Sequence, residues 1–170
     1  MSYAAAAIAT FANILGTLYR LVGKAESHEQ GEALLAARLA PDMFPLHTQI
    51  RFTIAQVLVA LDRLGTLGLT FDESEITSLA EAHARIAAAQ ALVAATDPGT
   101  WPAAADTVEF DLPNGMGFVM QAHEYCRDWA MPQAYFHLMS AYSVLRMEGL
   151  AIGKIDYVGY MLQYAKQPAV

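Results

Sequence analysis

The fold of this chain is decided by the stretch Asp128–Asp156, which reads DWAMPQAYFHLMSAYSVLRMEGLAIGKID. Pro132 suits the first turn of a helix, and Gly149 suits the position just after a helix end. Between them, apolar residues recur at steps of three and four, which places them on one helical face. The residues on this face are Tyr135, Leu138, Tyr142 and Leu145. The stretch therefore predicts a long core helix.

Apolar side chains also cover much of the remaining surface of this helix, including Phe136, Met139, Val144 and Met147. A helix that is apolar on several sides needs several neighbours. The composition agrees, because only 16% of the residues are charged, against about 25% in a usual globular protein. We therefore expect more apolar surface than one monomer can bury, and we predict a homodimer.

The length of the chain indicates how many domains it forms, and its charge indicates which partners it can bind. A chain of 170 residues suits one domain with one core, so we predict a single helical-bundle domain over residues 1–170. The formal net charge is −7, and lysine and arginine form no cluster in the sequence. Because nucleic-acid binding needs a basic patch, we expect no nucleic-acid partner.

The first 19 residues carry no charged side chain, which raises the question of a signal peptide or a membrane span. No basic segment precedes this run, and it is shorter than the roughly 20 apolar residues that a span requires. Its apolar residues instead follow the spacing of a bundle helix; they are Ile8, Phe11, Leu15, Leu18 and Val22. Cys126 is the single cysteine, which excludes a disulfide within the chain. We expect a cytoplasmic protein that makes no contact with membranes.

Three further stretches predict long helices. The first covers about residues 3–25. The second follows Pro45, and its core stripe consists of His47, Ile50, Ile54, Val57, Leu61 and Leu64. The third starts with Asp72 as its cap and Glu75 in the capping-box position. Its stripe consists of Ile76, Leu79, His83, Ile86, Gln90 and Val93.

Between the third and the last long helix, the apolar period changes to two. Apolar residues alternate from Val108 to Leu112 before the turn at residues 113–115, which predicts a β-hairpin. A short helix over about residues 120–130 is expected next, and the aromatic segment after Gly153 is expected to pack back on the bundle. The chain therefore predicts an all-α fold, an antiparallel four-helix bundle with a small β-hairpin inserted before the last long helix.

Three motifs carry a family resemblance: LAPDMFPL at 39–46, MPQAYFHLMSAYSVLR at 131–146, and the spacing Gly149…Gly153-Lys154…Asp156. With them, nearly the whole chain resembles an uncharacterised bacterial and fungal family that carries a domain-of-unknown-function label. That family is similar in turn to the DinB/YfiT-like superfamily of four-helix-bundle proteins. The resemblance implies a helical bundle, often dimeric. In the superfamily it implies a divalent metal held by one histidine of the second helix and an HxxxH pair of the fourth, and some relatives transfer or hydrolyse thiol-linked groups.

Residue by residue, the resemblance implies a metal site made of His47, Gln133 and His137. His137 matches the second histidine of the HxxxH pair, whereas Gln133 stands at the first position. His47 lies where the second-helix ligand could come from. Because transition metals prefer imidazole or carboxylate as a third ligand, we expect no resident cofactor; zinc or nickel is the alternative. The other reading of His47 and His137 is that each forms a hydrogen bond within the bundle.

A few other residues are candidates for metal binding or catalysis. The helix phases predict that His47, His83 and His137 all point inward. His123 and Cys126 form an i, i+3 pair that could supply substitute ligands, although a buried, inert thiol is the expected state of Cys126. The sequence designates no catalytic residue, since it has neither a GxSxG motif nor an evident nucleophile and base.

Two functions remain open at this stage. The first is a dimeric bundle without a complete metal site that binds a small apolar molecule or a protein partner. The second is a metal-dependent thiol transferase or hydrolase, in which a metal on His47 and His137 would activate water or a thiol. The metal content of the protein distinguishes them.

Overall fold

The computed structural model describes residues 1–166 and confirms a helical bundle with one small hairpin. The helices are α1 (Tyr3–Glu26), α2 (Leu46–Gly65), α3 (Leu79–Ala95), α4 (Ala122–Glu124), α5 (Met131–Met147) and α6 (Lys154–Tyr157). The hairpin strands are β1 (Thr107–Asp111) and β2 (Gly117–Gln121). Short 3-10 helices cover Gly31–Ala36, Pro98–Thr100 and Gly159–Tyr164, and a π-helical turn covers Tyr125–Ala130.

The long helices pack as antiparallel pairs. In the pair of α1 and α3, Gly16 lies against Gln90 and Gly23 lies against His83. The two helices therefore run in opposite directions. The pair of α2 and α5 is antiparallel in the same sense, because the start of α2 meets the middle of α5 and the end of α2 meets the π turn. Helix α1 also packs against α5 and places most of its apolar stripe in the core.

The predicted stripes of the first two helices are confirmed except at Ile8 and His47, which are half-buried. Fully or almost fully buried positions include Phe11, Leu15, Leu18, Val22, Ile50, Val57, Leu61 and Leu64. These side chains form one continuous core with apolar residues of α3, α5 and the hairpin. Removing apolar surface from water supplies the main driving force for this packing, at roughly 25 cal/mol for each Å² buried.

Helix α3 begins later than the sequence predicts. Asp72 does accept hydrogen bonds, but from Ser74 N at 2.9 Å and Ser74 Oγ at 2.6 Å, which closes only a local turn. The helix starts at Leu79, because Ser78 Oγ accepts from Glu81 N at 3.0 Å and the Glu81 carboxylate accepts from Thr77 N at 2.8 Å. The prediction of a start at Asp72 was wrong because a second capping pair, Ser78 and Glu81, lies nearer the core.

The last long helix begins as predicted, with Pro132 in the first turn of α5. The short helix predicted over about residues 120–130 corresponds to α4 and the π turn, and the helical backbone continues from them into α5. The N–H of Met131 donates to the carbonyl of Cys126, five residues back. This wider turn accommodates Pro132, which has no N–H and whose ring would clash with a carbonyl in a regular α-helix.

The hairpin docks on the π turn as an aromatic cluster. Phe110 and Phe118 face each other across the strands with their ring centroids 5.3 Å apart, and Phe110 also packs edge-on against Trp129 at 5.1 Å. The guanidinium of Arg63 lies 4.3 Å from the centre of the Phe110 ring and donates to Tyr125 Oη at 3.0 Å. The predicted hairpin is therefore confirmed, and it caps the end of the bundle where α2 finishes.

The segment after Gly153 packs back on the bundle, as predicted. Thr17 Oγ1 donates to the carbonyl of Tyr157 at 3.0 Å, and the Tyr157 ring packs edge-on against Tyr142 at 5.7 Å. An ion pair joins Lys24 Nζ to Asp156 Oδ1 at 2.6 Å. These contacts hold the segment along α1 and the middle of α5.

By length and composition alone, one helix among residues 1–166 could cross a membrane. This helix is α1, with 24 residues and a mean hydropathy of 1.4 in its most apolar window. In the structure 44% of that window is buried inside the protein. A core helix of a bundle passes the same test, because its inward face must be apolar.

We expect Ser78→Ala to lower the free energy of unfolding by about 1 kcal/mol, because alanine cannot accept the hydrogen bond from Glu81 N. Ser78→Gly is the matched control, since glycine caps tolerably and should cost only a few tenths of a kcal/mol. Urea unfolding followed by circular dichroism measures both. Equal stability of Ser78→Ala and the parent would mean that Ser78 does not cap α3.

Candidate functional site

The most distinctive polar feature in the core is a buried pair, His137 of α5 and Gln49 of α2. His137 Nδ1 lies 2.9 Å from Gln49 Oε1, and Gln49 Nε2 donates to the carbonyl of Phe44 at 3.1 Å. Because the amide nitrogen is committed to a carbonyl, the amide oxygen must accept from His137 Nδ1–H. The hydrogen is therefore on Nδ1, and Nε2 keeps a free lone pair.

Aromatic rings surround this histidine. The Phe52 ring centroid lies 5.0 Å from that of His137, and the Phe136 ring lies edge-on at 5.2 Å. Phe44 extends the cluster through an edge contact with Phe52 at 5.2 Å. Burial lowers the pKa of His137 from 6.5 to about 4, since the charged imidazolium would lose its hydration. The imidazole is neutral at neutral pH and presents Nε2 as an acceptor.

Of the residues predicted for a metal site, His47 is not the residue of α2 that meets His137. His47 Nε2 lies 3.4 Å from Glu75 Oε1, and His47 Nδ1 lies 3.2 Å from Thr48 Oγ1. The reason is helical phase: two residues along a helix rotate the side chain by about 200°, so His47 and Gln49 leave α2 on nearly opposite sides. Gln49 therefore takes the position facing α5.

Gln133, the third predicted ligand, is half-buried on α5 one turn before His137. In an antiparallel pair, moving toward the start of α5 means moving toward the end of α2. Gln133 and His47 are therefore displaced in opposite directions from the level of His137. Within residues 1–166, no group of three or more His, Cys, Asp or Glu side chains is arranged to hold a metal ion. These residues do not fit the three-ligand centre that the superfamily implies.

The prediction that three histidines point inward is confirmed for His137, while His47 and His83 are half-buried. His83 connects α3 to α1 through both ring nitrogens. Its Nδ1 lies 2.7 Å from Glu26 Oε1, and its Nε2 lies 3.0 Å from the carbonyl of Tyr19. These two contacts give His83 a structural role at the interface of α1 and α3.

The pair of His123 and Cys126 has two separate environments. His123 Nδ1 lies 2.8 Å from the carbonyl of Ala104, which ties α4 to the loop before the hairpin. Cys126 is buried, and burial raises the pKa of its thiol to about 12. Because the thiolate is the reactive form, this cysteine is the inert core residue that the sequence predicts.

Gln49 is the important residue that the sequence analysis missed, although a signal for it exists. It falls three residues after Leu46 and four before Thr53, on the buried face of α2. A long polar side chain at a core position needs a partner, because burying an unpaired amide costs free energy. A polar residue on this buried face therefore indicates a counterpart across the helix interface, which the structure shows to be His137.

The outer side of α5 is apolar and open to solvent. Phe136 is 59% exposed, Met139 is 45% exposed and Met147 is 47% exposed. The sequence of α5 contains one residue with a permanent charge, Arg146, near its end. The segment after Gly153 packs on α1 and Tyr142 and leaves Phe136 and Met139 exposed. We call the side chains of Phe136, Met139 and Met147 the α5 apolar face.

Acidification should destabilise the protein through His137. Its folded pKa of about 4 lies below the ordinary value of 6.5, so the unfolded chain binds the proton more readily. The contribution of a neutral His137 is complete above about pH 6.5 and is lost as the pH falls toward 4. We expect His137→Gln to show a flatter fall in unfolding free energy over this range.

Urea unfolding at closely spaced pH values measures this dependence. His28→Gln, in the loop after α1, controls for the loss of a histidine as such. If His137→Gln and the parent lose stability in parallel from pH 6.5 to 4, His137 is not the group responsible.

Comparisons with known proteins agree with this architecture. A family model described as a domain of unknown function, DUF1993, matches residues 3–158. The chain is also similar to a DinB family member protein from Shewanella denitrificans of known crystal structure. The two share 28% sequence identity with a TM-score of 0.78, and the similarity covers 96% of this chain and 92% of the other. No curated protein matches the chain.

Proposed function

Because this chain belongs to the DUF1993 family, for which the family description gives no activity, we propose that it acts as a homodimeric binding bundle without a resident metal. The observation that carries the proposal is the α5 apolar face. Three large apolar side chains stand exposed on a helix whose other side packs in the core. Exposed apolar patches of this kind are typical of protein interaction sites.

The charge distribution favours a second copy of the chain as the partner of the α5 apolar face. With a formal net charge of −7, two copies repel each other over most of their surfaces, and the approach is least unfavourable where carboxylates are missing. The α5 sequence contains no Asp or Glu. Its 17 residues span about 25 Å, a length along which two such helices can pair. The shared face then makes a symmetric, self-complementary contact.

The same arrangement would cover the histidine site. Phe136 belongs to the α5 apolar face and also packs edge-on against His137. A partner seated on Phe136 would extend the apolar environment that already keeps the imidazole neutral. This proposal therefore gives the His137–Gln49 pair a role in shaping the interface instead of a role in catalysis.

A metal-dependent transferase or hydrolase is the second candidate, and one observation favours it. His137 donates through Nδ1–H and keeps Nε2 free, and metal-binding histidines are usually oriented by such a hydrogen bond on the other nitrogen. The argument against it is the number of donors, because a catalytic zinc site has three protein ligands. His47 is engaged with Glu75 and Thr48, and Gln133 offers only an amide.

Light scattering tests the dimer. We expect the parent to show twice the mass of one chain, and Met139→Glu to show a monomer, because the dimer would bury an unpaired carboxylate in each copy. Val119→Glu is the matched control: it places the same charge on an apolar side chain that is 68% exposed on β2 and should remain dimeric.

Circular dichroism of the same samples checks that each variant is folded. A parent that remains monomeric at high concentration and ordinary salt excludes the proposal. So does a folded Met139→Glu protein that keeps the dimeric mass.

The metal hypothesis is tested by restoring the missing histidine. We expect Gln133→His to raise zinc or nickel affinity by at least roughly tenfold, the scale on which changes around a metal site act. His137→Ala should lower the affinity of the parent by far less. Ala91→His adds one isolated histidine on the exposed side of α3. It is the control for an increase in metal affinity that any additional surface histidine would cause.

Calorimetric titration of protein purified without a histidine tag gives these affinities, and elemental analysis gives the metal content. Tight binding of one metal by the parent chain would favour the enzyme hypothesis over the binding bundle. No gain from Gln133→His would mean that residues 133 and 137 cannot share a metal.

A further inference from the structure

A second candidate site lies on another side of α2, in a cleft between α2 and α3. Its volume is about 230 Å³, somewhat below the roughly 300 Å³ at which pockets for drug-sized molecules begin. Its walls are largely apolar and are formed by Ile54, Ala55, Leu58, Phe71, Ala88 and Leu92. Two arginines, Arg51 and Arg85, and one carboxylate, Asp72, also line it.

Arg85 is fully engaged. Its guanidinium forms ion pairs with Asp72 Oδ2 at 3.0 Å and with Glu81 Oε1, and it donates to Ser74. Asp72 is in turn satisfied by Ser74 and Arg85, and hydrogen bonds from Ser74 together with the nearby arginines lower the pKa of its carboxyl. Asp72 therefore already has a cation of its own.

Arg51 forms no ion pair of its own. Among residues 1–166, no carboxylate lies within ion-pair distance of its guanidinium, although Asp72 lies near enough for the charge of Arg51 to help lower the pKa of its carboxyl. Its Cζ atom lies 4.6 Å from the centre of the Phe52 ring, so the side chain is supported by an aromatic face. The cleft thus combines apolar walls with a cation that is supported by a ring and forms no direct ion pair.

We propose that this cleft binds a small monocarboxylate with a short apolar tail. The carboxylate pairs with Arg51, whose planar guanidinium offers parallel N–H donors that match the two oxygens. The tail lies along the apolar walls contributed by α2 and α3. Arg85 is neutralised by Asp72 and Glu81, so Arg51 is the cation that attracts the carboxylate and repels a cationic head group. The cleft volume limits the tail to a few carbon atoms or one ring.

Hexanoate, hexanol and hexylammonium are matched probes, because they share the tail and differ in the head group. NMR titration of ¹⁵N-labelled protein gives each affinity and the residues that respond. We expect hexanoate to bind about tenfold or more tightly than hexanol, the range of a charge-assisted hydrogen bond, and hexylammonium to bind least. Lengthening butanoate to hexanoate should raise the affinity by about fourfold per methylene.

Three variants identify the site. Arg51→Gln should lower hexanoate affinity by about tenfold or more and leave hexanol affinity unchanged. Arg38→Gln, at an exposed arginine outside the cleft, is the matched control and should bind as the parent does. Ala88→Phe should block both probes, because Ala88 is exposed on α3 and lines the cleft, so a larger ring fills the cleft without entering the core.

Equal affinities for hexanoate and hexanol would overturn the proposal, as would unchanged hexanoate binding by Arg51→Gln. Chemical-shift changes confined to residues outside the cleft would also overturn it, and so would the failure of every acid from butanoate to octanoate to bind. The mass from light scattering is a separate readout. A monomeric protein that binds hexanoate, or a dimer that does not, therefore tells the two proposals apart.

Discussion

The hydrogen bond between His137 and Gln49 is the constraint on which the middle of the bundle depends. It joins α5 to α2 at 2.9 Å inside the core, where a slip of either helix would leave both groups unpaired. An unpaired buried polar group costs roughly 1–3 kcal/mol, whereas apolar side chains tolerate small shifts. The pair therefore fixes the register of the two helices. It also fixes the protonation of His137, because the imidazole must donate through Nδ1 to an oxygen that cannot donate back.

Much of the fold follows from residue spacing. Steps of three and four predicted α1, α2 and α5, and the alternation around residues 108–112 predicted the hairpin that the structure contains. The error in α3 falls where two local signals compete, because Asp72 and Ser78 can both cap a helix and the structure uses Ser78. Pro132 lies in the first turn of α5, as the sequence predicts, whereas the π turn before it was not predicted.

Of the two residues in the buried pair, the sequence analysis identified His137 and missed Gln49. His137 was found because it lies on a strongly apolar helix and matches a family position. The family resemblance implied His47 as its partner on a metal, whereas the other reading gave each histidine a hydrogen bond within the bundle, as His137 has with Gln49 and His47 has with Thr48. A separation of two residues places side chains on nearly opposite faces of a helix, so His47 and Gln49 cannot both face α5. Pairing across helices depends on relative rotation, which one sequence does not contain.

Phe52 links the histidine site to Arg51 of the cleft between α2 and α3. Its ring contacts His137 with centroids 5.0 Å apart, and the guanidinium of Arg51 lies 4.6 Å from its centre. Cation–π attraction weakens when the cation is neutralised, because the ring responds to net positive charge. A carboxylate on Arg51 would therefore loosen the hold of Arg51 on Phe52. Phe52 also packs on Phe44, so a carboxylate in the cleft would act on the aromatic cluster through one side chain of α2.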